Sequence, residues 1–468
     1  MGCGITKLDH DKAVNPRKRL HRLSTNTRLI IKDLRSVPTY TFKKVLGQGK
    51  FGRVLLWESS KTKHQIAVKA IFKGNTPLSR ILEEVSILSK VDHPNIVKYI
   101  TSLQSKKYLY LIMEYCIGNS LFQKILAKDK FNEVEAKNIM KELLRAINHC
   151  HHLGIIHRDL KPENIMYSDE EVLKILDFGL SMQENSYSLE TIAGTKYYIA
   201  PEVVKDSVFT KACDIWSLGI IMHLLFTGYF PVGGNTSSEF YAKLLEYKGP
   251  RFVGDIWTSI SKEAKDLLSK MLDMNYHTRI TAADALNHLW FKVEQETQRE
   301  SNLEVLNALR QYSEASQLKR NLLSVIVKGV SGSELKAFQQ DFLALDKKKT
   351  GLITCKELEE YLKEKGYNVE NEKLEEFTKK INEKGKSYIN YSEFIAAAIS
   401  TRQFLTDEKL EDIFKTLDIR QKGCIRRNIL NISKCNVKDV DFIKTLTNRN
   451  GNSKDLITFD EFKNILLN

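Results

Sequence analysis

The stretch IIHRDLKPENIM, residues 155–166, constrains this chain more than any other segment of its sequence. It crowds a His, an Arg, an Asp, a Lys, a Glu and an Asn between two apolar segments. Buried polar groups need hydrogen-bond partners or counter-ions, so these side chains must meet one another or face a ligand. Taken alone, the run also fits a polar loop between two buried elements.

The chain is too long for a single hydrophobic core, since 468 residues predict two or three domains. Apolar residues make up 42% and charged residues 28%, the balance of a soluble globular protein. No apolar run reaches the roughly 18 residues of a transmembrane helix, and no secretory leader is expected. The seven cysteines form no CxxC pair, which favours a reducing cytosol over a disulfide framework or a thiolate zinc site.

The N-terminus combines positive charge with a lipidation pattern. Residues 1–38 supply +6 of the net charge of +14, and no aromatic residue is interleaved among the basic ones, so nucleic acid is not an expected partner. Gly2 and Thr6 match the N-myristoylation pattern, and Cys3 is a candidate for palmitoylation. With the basic run at 15–22, they predict a cytoplasmic protein held peripherally on the cytosolic face of a membrane. The alternative is a disordered basic leader with no role.

A glycine pattern begins shortly after Tyr40. In YTFKKVLGQGKFGRVLLWES, Gly47, Gly49 and Gly52 form GxGxxG, which dinucleotide-binding folds share. In those folds the glycines open a helix, whereas here RVLLWE continues as strand-like sequence, so a hairpin is expected. Without Cβ atoms in the way, such a hairpin lays backbone N–H groups over phosphates.

Lys69 follows in the apolar strand IAVKAI and needs a counter-ion if it is buried. The amphipathic segment SRILEEVSILSKV has a helical spacing of apolar residues and offers two carboxylates. Glu84 is the predicted partner, from its spacing to DHPN at 92–95, and Glu83 is the competing candidate. The alternative is a surface lysine on an edge strand.

These residues together predict phosphoryl transfer from ATP. That reaction needs an acceptor for the hydroxyl proton, oxygen ligands for Mg²⁺ and cations on the phosphates. Asp159 is the expected base, and Asn164 and Asp177, the latter in LKILDFGLS, are the expected magnesium ligands. Lys69 would clamp the phosphates that stay behind, and Lys161 would steady the one that is transferred.

The chain resembles the eukaryotic protein kinases over residues 40–291. GQGKFGRV, AVK, HRDLKPEN, DFG and APE occur in the family's order and spacing. The resemblance implies a bilobal fold that binds ATP between a β-rich and a helical lobe, with Met113 as gatekeeper. It also implies adenine contacts from ring-flanking side chains and hinge backbone groups at Leu46, Val54, Ala67, Met166, Glu114 and Cys116.

The resemblance is to the Ser/Thr-specific kinases. Lys161 in DLKPEN and Thr195 in GTKYYIAPE match that branch, whose substrates are proteins. Ser120 stands where many basophilic relatives have Glu, so a preference for Arg upstream of the target is not transferred, although Glu163 remains as an acidic contact.

Two structural roles also follow from the resemblance: Asp214 would brace the catalytic loop, and an ion pair within the large lobe would join Glu202 to Arg279. Activation-loop phosphorylation would involve Ser186, Ser188, Thr191 or Thr195, with Arg158 as its dock.

After residue 291 the composition changes to a polar hinge and then an amphipathic helix. Residues 292–330 are predicted to be this junction, packed on the kinase lobe or in a partner groove. Residues 331–468 contain four helix–loop–helix repeats, with twelve-residue loops at 346–357, 382–393, 418–429 and 450–461. An Ile at position eight of each loop predicts pairing of the loops in two short sheets. The expected architecture is an α+β bilobal kinase followed by an all-α calmodulin-like EF-hand domain, with residues 1–39 as the acylated leader, 40–291 as the kinase and 331–468 as the EF-hand domain.

The loops are poor calcium sites by composition. Calcium binds six to eight oxygens, with acidic or amide side chains at loop positions 1, 3 and 5 and a Glu at 12. The first loop has Lys348 at position 3 and a net charge of +2, and lysines or missing acids recur in the others. The composition therefore predicts weak calcium binding or none, and the candidate ligands lie only in the first and fourth loops: Asp346, Glu357, Asn450, Asn452 and Glu461.

The order of leader, kinase, junction and EF-hands resembles the calcium-dependent protein kinases of plants and protists, and its eroded loops resemble the related branch. In that family the junction blocks the cleft until calcium rearranges the EF-hand domain. Two alternatives remain open: a scaffold that binds nucleotide without transferring phosphate, and an EF-hand half that is a calcium-insensitive docking module.

Overall fold

The computed structural model describes residues 40–292 and 303–467 apart from short gaps at 50–51, 61–62, 75, 129, 169–171, 185–194, 330–331, 365–370, 383–384, 401–404, 418–422 and 427–455. Within these residues the chain forms a β-rich lobe, a helical lobe and a second helical domain. None of the described helices combines the length and the apolar character needed to cross a bilayer.

The small lobe is an antiparallel sheet with one helix. Its strand order is β1-β2-β3-β5-β4. Its elements are β1 (Tyr40–Gln48), β2 (Gly52–Ser59), β3 (Gln65–Phe72), helix α1 (Leu78–Leu88), β4 (Tyr99–Gln104) and β5 (Tyr108–Glu114). Six consecutive residues of β3 are buried, because this strand lies at the centre of the sheet, and all of them except Lys69 are apolar.

The large lobe is built on helices, with short strand pairs near the cleft. Its elements are α2 (Leu121–Lys128), α3 (Glu133–His152), β6 (Ile155–Ile156), a 3₁₀ turn (Pro162–Asn164), β7 (Ile165–Tyr167), β8 (Leu173–Ile175), β9 (Met182–Gln183), a 3₁₀ turn (Lys196–Tyr198), α4 (Pro201–Asp206), α5 (Lys211–Thr227), α6 (Ser237–Leu245), α7 (Asp255–Thr258), α8 (Lys262–Met271), α9 (Ala282–Leu286) and α10 (Leu289–Lys292). Asn132 starts α3 through a reciprocal capping box with Glu135. Helix α5 is buried on all sides from Cys213 onward, which makes it the central helix of the lobe.

The C-terminal domain pairs its loops as the sequence predicts. Its elements are α11 (Leu303–Glu314), α12 (Gln317–Gly329), α13 (Gly332–Leu345), β10 (Leu352–Thr354), α14 (Cys355–Glu364), α15 (Asn371–Ile381), β11 (Tyr388–Asn390), α16 (Tyr391–Ile399), α17 (Asp407–Leu417), β12 (Cys424–Arg426), β13 (Leu456–Thr458) and α18 (Phe459–Leu467). Ile353 lies opposite Ile389, and Ile425 lies opposite Ile457. All four isoleucines are buried, so each pair joins two loops into one apolar core.

The junction differs from the single helix that its periodicity predicts. It consists of α11 and α12, and the Ser316 hydroxyl accepts the Lys319 N–H at the start of the second helix. Its buried residues, among them Leu309, Tyr312 and Leu322, belong to the core of the EF-hand domain. The apolar face therefore packs mainly against neighbouring helices of that domain, and the Val327 carbonyl of α12 also accepts a hydrogen bond from Lys98 of the kinase domain.

Candidate active site

The glycine pattern forms the predicted hairpin. Strands β1 and β2 pair antiparallel, with Gly47 opposite Val54, and the Gly49 N–H donates to the Gly52 carbonyl at 2.9 Å. A Cβ at Gly52 would lie 2.2 Å from the carbonyl oxygen of Ala70 on β3. Only glycine permits this approach of the hairpin to the neighbouring strand.

Lys69 is buried on β3 between two carboxylates. Its Nζ lies 2.6 Å from Glu84 Oε1 and 2.6 Å from Asp177 Oδ1. Burial alone would lower the pKa of Lys69, but the two carboxylates outweigh it and raise that pKa above its ordinary value. The structure thus places Glu84 beside the ammonium, while Glu83, the other candidate, is half-buried elsewhere on α1. The Lys69–Asp177 contact joins the small lobe to the large one.

Asp159 accepts hydrogen bonds on both carboxylate oxygens. Lys161 Nζ donates to Oδ2 at 2.8 Å, and Asn164 Nδ2 donates to the same oxygen at 3.0 Å. The Thr195 hydroxyl donates to Oδ1 at 2.9 Å and accepts from Lys161 Nζ at 2.8 Å. Three donors thus fix the orientation of the Asp159 carboxylate.

The two loops that carry Asn164 and Asp177 lie side by side. The Leu176 N–H donates to the Asn164 carbonyl at 2.8 Å. Asp177 has a φ of +53°, an unusual conformation for a non-glycine residue, and its side chain is 42% exposed. Burial of the carboxyl would raise the pKa of Asp177, but the Lys69 ammonium outweighs this and lowers it. An exposed, ionised carboxylate in strained backbone is typical of a ligand-binding position.

Magnesium fits this pair of residues. The amide nitrogen of Asn164 donates to Asp159, which orients the amide and leaves its oxygen as the atom that can bind a cation. Asp177 contributes an ionised carboxylate from the adjacent loop. Hard oxygen donors of this kind are those that Mg²⁺ prefers, together with phosphate oxygens of a bound nucleotide.

Asp214 lies beneath the catalytic loop and is fully buried. It accepts the backbone N–H groups of His157 and Arg158, each at 2.9 Å, and lies 2.9 Å from His151 Nε2. Burial would raise the pKa of Asp214, but these hydrogen bonds outweigh it and lower the pKa. Arg158 itself has a φ of +67°, so the carboxylate holds a strained backbone in place.

The residues expected around adenine come from both lobes. Val54 pairs with Lys69 across β2 and β3, and Ala67 pairs with Met113 across β3 and β5. The other expected contacts are Leu46 in β1, Glu114 at the end of β5, the buried Cys116 just after it, and Met166 in β7, which is bridged to Ser120. The Glu114 carboxylate lies 2.9 Å from Lys174 Nζ and accepts the Lys98 N–H at 2.7 Å, and the Glu114 backbone N–H donates to the Lys98 carbonyl at 3.0 Å.

Two arginines hold the start of the activation segment: sequence reasoning missed Arg80, and it named Arg158 only as a docking residue for a phosphorylated loop. Arg80, one turn before Glu84 on α1, donates to the Gly179 carbonyl at 2.9 Å through Nη2. Arg158 donates to the next carbonyl, that of Leu180, at 2.6 Å through Nε. A basic residue one turn before Glu84 was the available signal, but no spacing rule connects it to Gly179.

Several expected residues fall outside the described part of the chain. These are Gly2, Cys3, Ser186, Ser188, Thr191, Asn450 and Asn452. Of the weak calcium ligands, Asp346 and Glu357 lie buried in the first EF-hand loop and Glu461 is exposed on α18. Among the described residues, no group of three or more His, Cys, Asp or Glu side chains is placed to hold a metal ion. The first loop offers two acids and has a lysine at ligand position 3, a donor set that does not fit calcium well.

Arg279 and Glu202 form the expected pair in the large lobe. Arg279 Nη1 lies 2.7 Å from Glu202 Oε1 and Arg279 Nη2 lies 2.9 Å from Glu202 Oε2, and both side chains are buried. We expect Arg279→Lys to destabilise the protein by roughly 1.5–3 kcal/mol, because lysine keeps the charge but loses the second hydrogen bond. Urea unfolding measures the difference, with the exposed Arg251→Lys as the matched control. Equal midpoints for the two variants would contradict the prediction.

Known proteins match the chain over both halves. The protein kinase domain family matches residues 40–291, and the EF-hand domain pair family matches residues 335–399. Calcium-dependent protein kinase 5 of Plasmodium falciparum is 32% identical over 89% of this chain and 76% of its own length. Calcium-dependent protein kinase 3 of Plasmodium berghei is 33% identical over 81% of this chain and 69% of its own.

A plant protein matches over a similar span. Calcium-dependent protein kinase 21 of Arabidopsis thaliana is 32% identical over 90% of this chain and 82% of its own length. The likeness thus covers the catalytic lobes, the junction and the EF-hand half together. The chain belongs to the calcium-dependent protein kinase family: it is a Ser/Thr protein kinase that uses ATP and Mg²⁺ and carries a C-terminal EF-hand domain.

Proposed function

We propose that Asp159 accepts the proton of the substrate Ser or Thr hydroxyl while Lys161 steadies the transferred phosphoryl group. Two contacts carry this assignment: Lys69 binds Asp177, and Asn164 binds Asp159. Asn164 and Asp177 lie on adjacent loops, so the two contacts belong to one site. The Thr195 hydroxyl, shared by Asp159 and Lys161, orients both side chains toward the incoming hydroxyl.

Lys69, held by Glu84, would bind the phosphates that remain on the nucleotide. Asn164 and Asp177 would hold Mg²⁺, which neutralises charge on the phosphate oxygens. Gly47, Gly49 and Gly52 would bring backbone N–H groups to the phosphates. Leu46, Val54, Ala67 and Met166 would flank adenine, with the backbones of Glu114 and Cys116 at its edge.

The test of this assignment is phosphate transfer by the full chain. Purified protein with Mg²⁺ and labelled ATP is offered Ser- and Thr-containing peptides, in calcium and in a calcium chelator. We expect incorporation into Ser or Thr. A wild-type protein that binds ATP but modifies no peptide would instead support the nucleotide-binding scaffold.

A second candidate concerns the EF-hand half, which we propose is a calcium-insensitive docking module of the kinase. Lys348 at ligand position 3 and the net positive first loop favour this over a calcium sensor. Activity equal in calcium and in chelator supports docking without a calcium trigger. Strong activation by micromolar calcium contradicts it.

We further propose that the leader tethers the kinase to a membrane. Gly2 and Cys3 would carry the acyl chains, and the basic run at 15–22 would lie near anionic lipid.

Gly2→Ala is the corresponding prediction. We expect it to move the protein from the membrane to the soluble fraction, because myristoylation requires that glycine and one remaining signal binds only marginally. Fractionation of cells that express each variant measures the distribution, with Gly4→Ala as the matched control. Gly2→Ala that stays on membranes as fully as Gly4→Ala rules out the anchor.

A further inference from the structure

The first EF-hand loop contacts the kinase domain through its backbone. Asn148 Nδ2 donates to the Lys349 carbonyl at 2.7 Å, and His149 Nδ1 lies 2.7 Å from the Thr350 carbonyl. His149 Nε2 accepts the Asp92 N–H, so the proton of the neutral ring resides on Nδ1 and is donated to Thr350. Both donors stand near the C-terminal end of α3 and are buried. Two consecutive carbonyls of the loop are therefore bound by two consecutive kinase residues.

Gly351 fits this contact by having no side chain. Its φ is +74°, and a Cβ there would lie 2.4 Å from His149 Nδ1 and 3.0 Å from the His93 ring. The glycine that the loop turn requires is thus also the point where the loop rests on two kinase histidines.

Two further contacts flank the loop. The Asp92 carboxylate accepts the N–H and the hydroxyl of Ser392, both at 2.8 Å, in the first turn of α16. An anion is favoured there because the first turn of a helix carries unpaired N–H groups. Lys349 Nζ donates to the Leu286 carbonyl at 2.9 Å. The EF-hand domain is therefore bound by three separate segments of the kinase domain.

The acids of the loop are occupied by the loop itself. The Asp346 oxygens accept the N–H groups of Thr350 and Gly351 at 2.9 and 2.7 Å. The Glu357 oxygens accept the N–H groups of Lys348 and Thr354 at 2.8 and 2.9 Å. All four carboxylate oxygens thus have a donor from the backbone. These hydrogen bonds hold the loop in the shape that exposes the carbonyls of Lys349 and Thr350 to the kinase.

We propose that the first EF-hand loop is a latch that fastens the EF-hand domain to the kinase domain without calcium. The latch consists of Lys349, Thr350 and Gly351, and its receptor consists of Asn148 and His149, with Asp92 as a second anchor. This inference rests on the docking role proposed above and names the surfaces that perform it. A calcium ion is not needed, because backbone amides satisfy the loop's carboxylates and a lysine occupies a ligand position.

Asn148→Asp tests the latch with almost no change in volume. It sets a carboxylate oxygen against the Lys349 carbonyl, so two acceptors face each other and the contact is lost. Undocking exposes position 148 to water, where an aspartate is tolerated. Asp92→Ala is the second variant, since it removes the Ser392 contacts at a half-buried side chain. Asn235→Asp, at an exposed position of the kinase domain, is the matched control.

Small-angle X-ray scattering of the full chain gives the radius of gyration of each variant in calcium and in chelator. We expect wild type and Asn235→Asp to give the same value under both conditions, and Asn148→Asp and Asp92→Ala to give larger values under both. Compaction of the wild type only when calcium is added overturns the latch. Values for both variants equal to that of wild type overturn it as well.

Phosphate transfer by the same samples keeps the two proposals apart. A wild type that transfers no phosphate but shows the expected scattering refutes the catalytic assignment and leaves the latch intact. A wild type that transfers phosphate but becomes compact only when calcium is added supports the catalytic assignment and refutes the latch.

Discussion

Asp159→Asn is expected to lower kcat for peptide phosphorylation by about 10²- to 10⁴-fold, the usual contribution of a positioned general base. The amide cannot accept the substrate proton, and its NH₂ group replaces one of two oxygens that accept hydrogen bonds, from Lys161 and Asn164 or from Thr195. Nucleotide binding should be nearly unchanged, because Lys69 and Asp177 hold each other without Asp159. Steady-state kinetics and titration with a fluorescent nucleotide measure the two effects.

The control for this variant is Asp206→Asn, at an exposed position at the end of α4. It makes the same chemical change on the same lobe and should leave kcat within about twofold, since surface substitutions shift energies by roughly 0.5 kcal/mol or less. If Asp159→Asn retains wild-type kcat, Asp159 is not the base.

Lys69→Met is expected to lower kcat/KM by about 10²- to 10³-fold. It leaves the buried carboxylate of Glu84, and Asp177 beside it, without their shared counter-ion, and loss of one partner of a buried pair costs roughly 3–5 kcal/mol. The same change removes the cation expected on the nucleotide phosphates. Peptide kinetics over a range of ATP concentrations should show a higher KM for ATP together with a lower kcat.

Lys106→Met, in the exposed turn between β4 and β5, is the matched control. Glu84→Gln adds a second arm. The double variant Lys69→Met/Glu84→Gln should lose less kcat/KM than the two single variants predict together, because it no longer buries the unpaired carboxylate of Glu84. Additive losses would show that the Lys69–Glu84 contact is not energetically coupled.

The catalytic residues could be predicted because they lie within short sequence motifs. Asp159 and Asn164 are five residues apart on one loop, so their proximity follows from chain geometry. The hairpin that carries Gly47 and Gly52 was predictable from the strand-like sequence that follows its last glycine, and the pairing of Ile353 with Ile389 from the isoleucine at position eight of each loop.

Other features depended on which face of an element the rest of the protein covers. Glu83 and Glu84 are neighbours in sequence, but consecutive residues of a helix point about 100° apart, so packing of α1 on the sheet selects one of them. The junction shows the same limit. Its spacing predicted an apolar face, yet the burial of Leu309 and Leu322 in the EF-hand core depends on which groove that face meets.

Residue type and short spacing were sufficient for the kinase lobes, the catalytic loop and the eroded EF-hands, because those features depend on neighbours along the chain. The contacts of Arg80 with Gly179 and of Asn148 with Lys349 were not accessible in this way. They join residues far apart in sequence through backbone carbonyls. Every residue has such a carbonyl, so residue type does not indicate which one will be bound. Folding of the whole chain is what brings those particular carbonyls within reach of a donor.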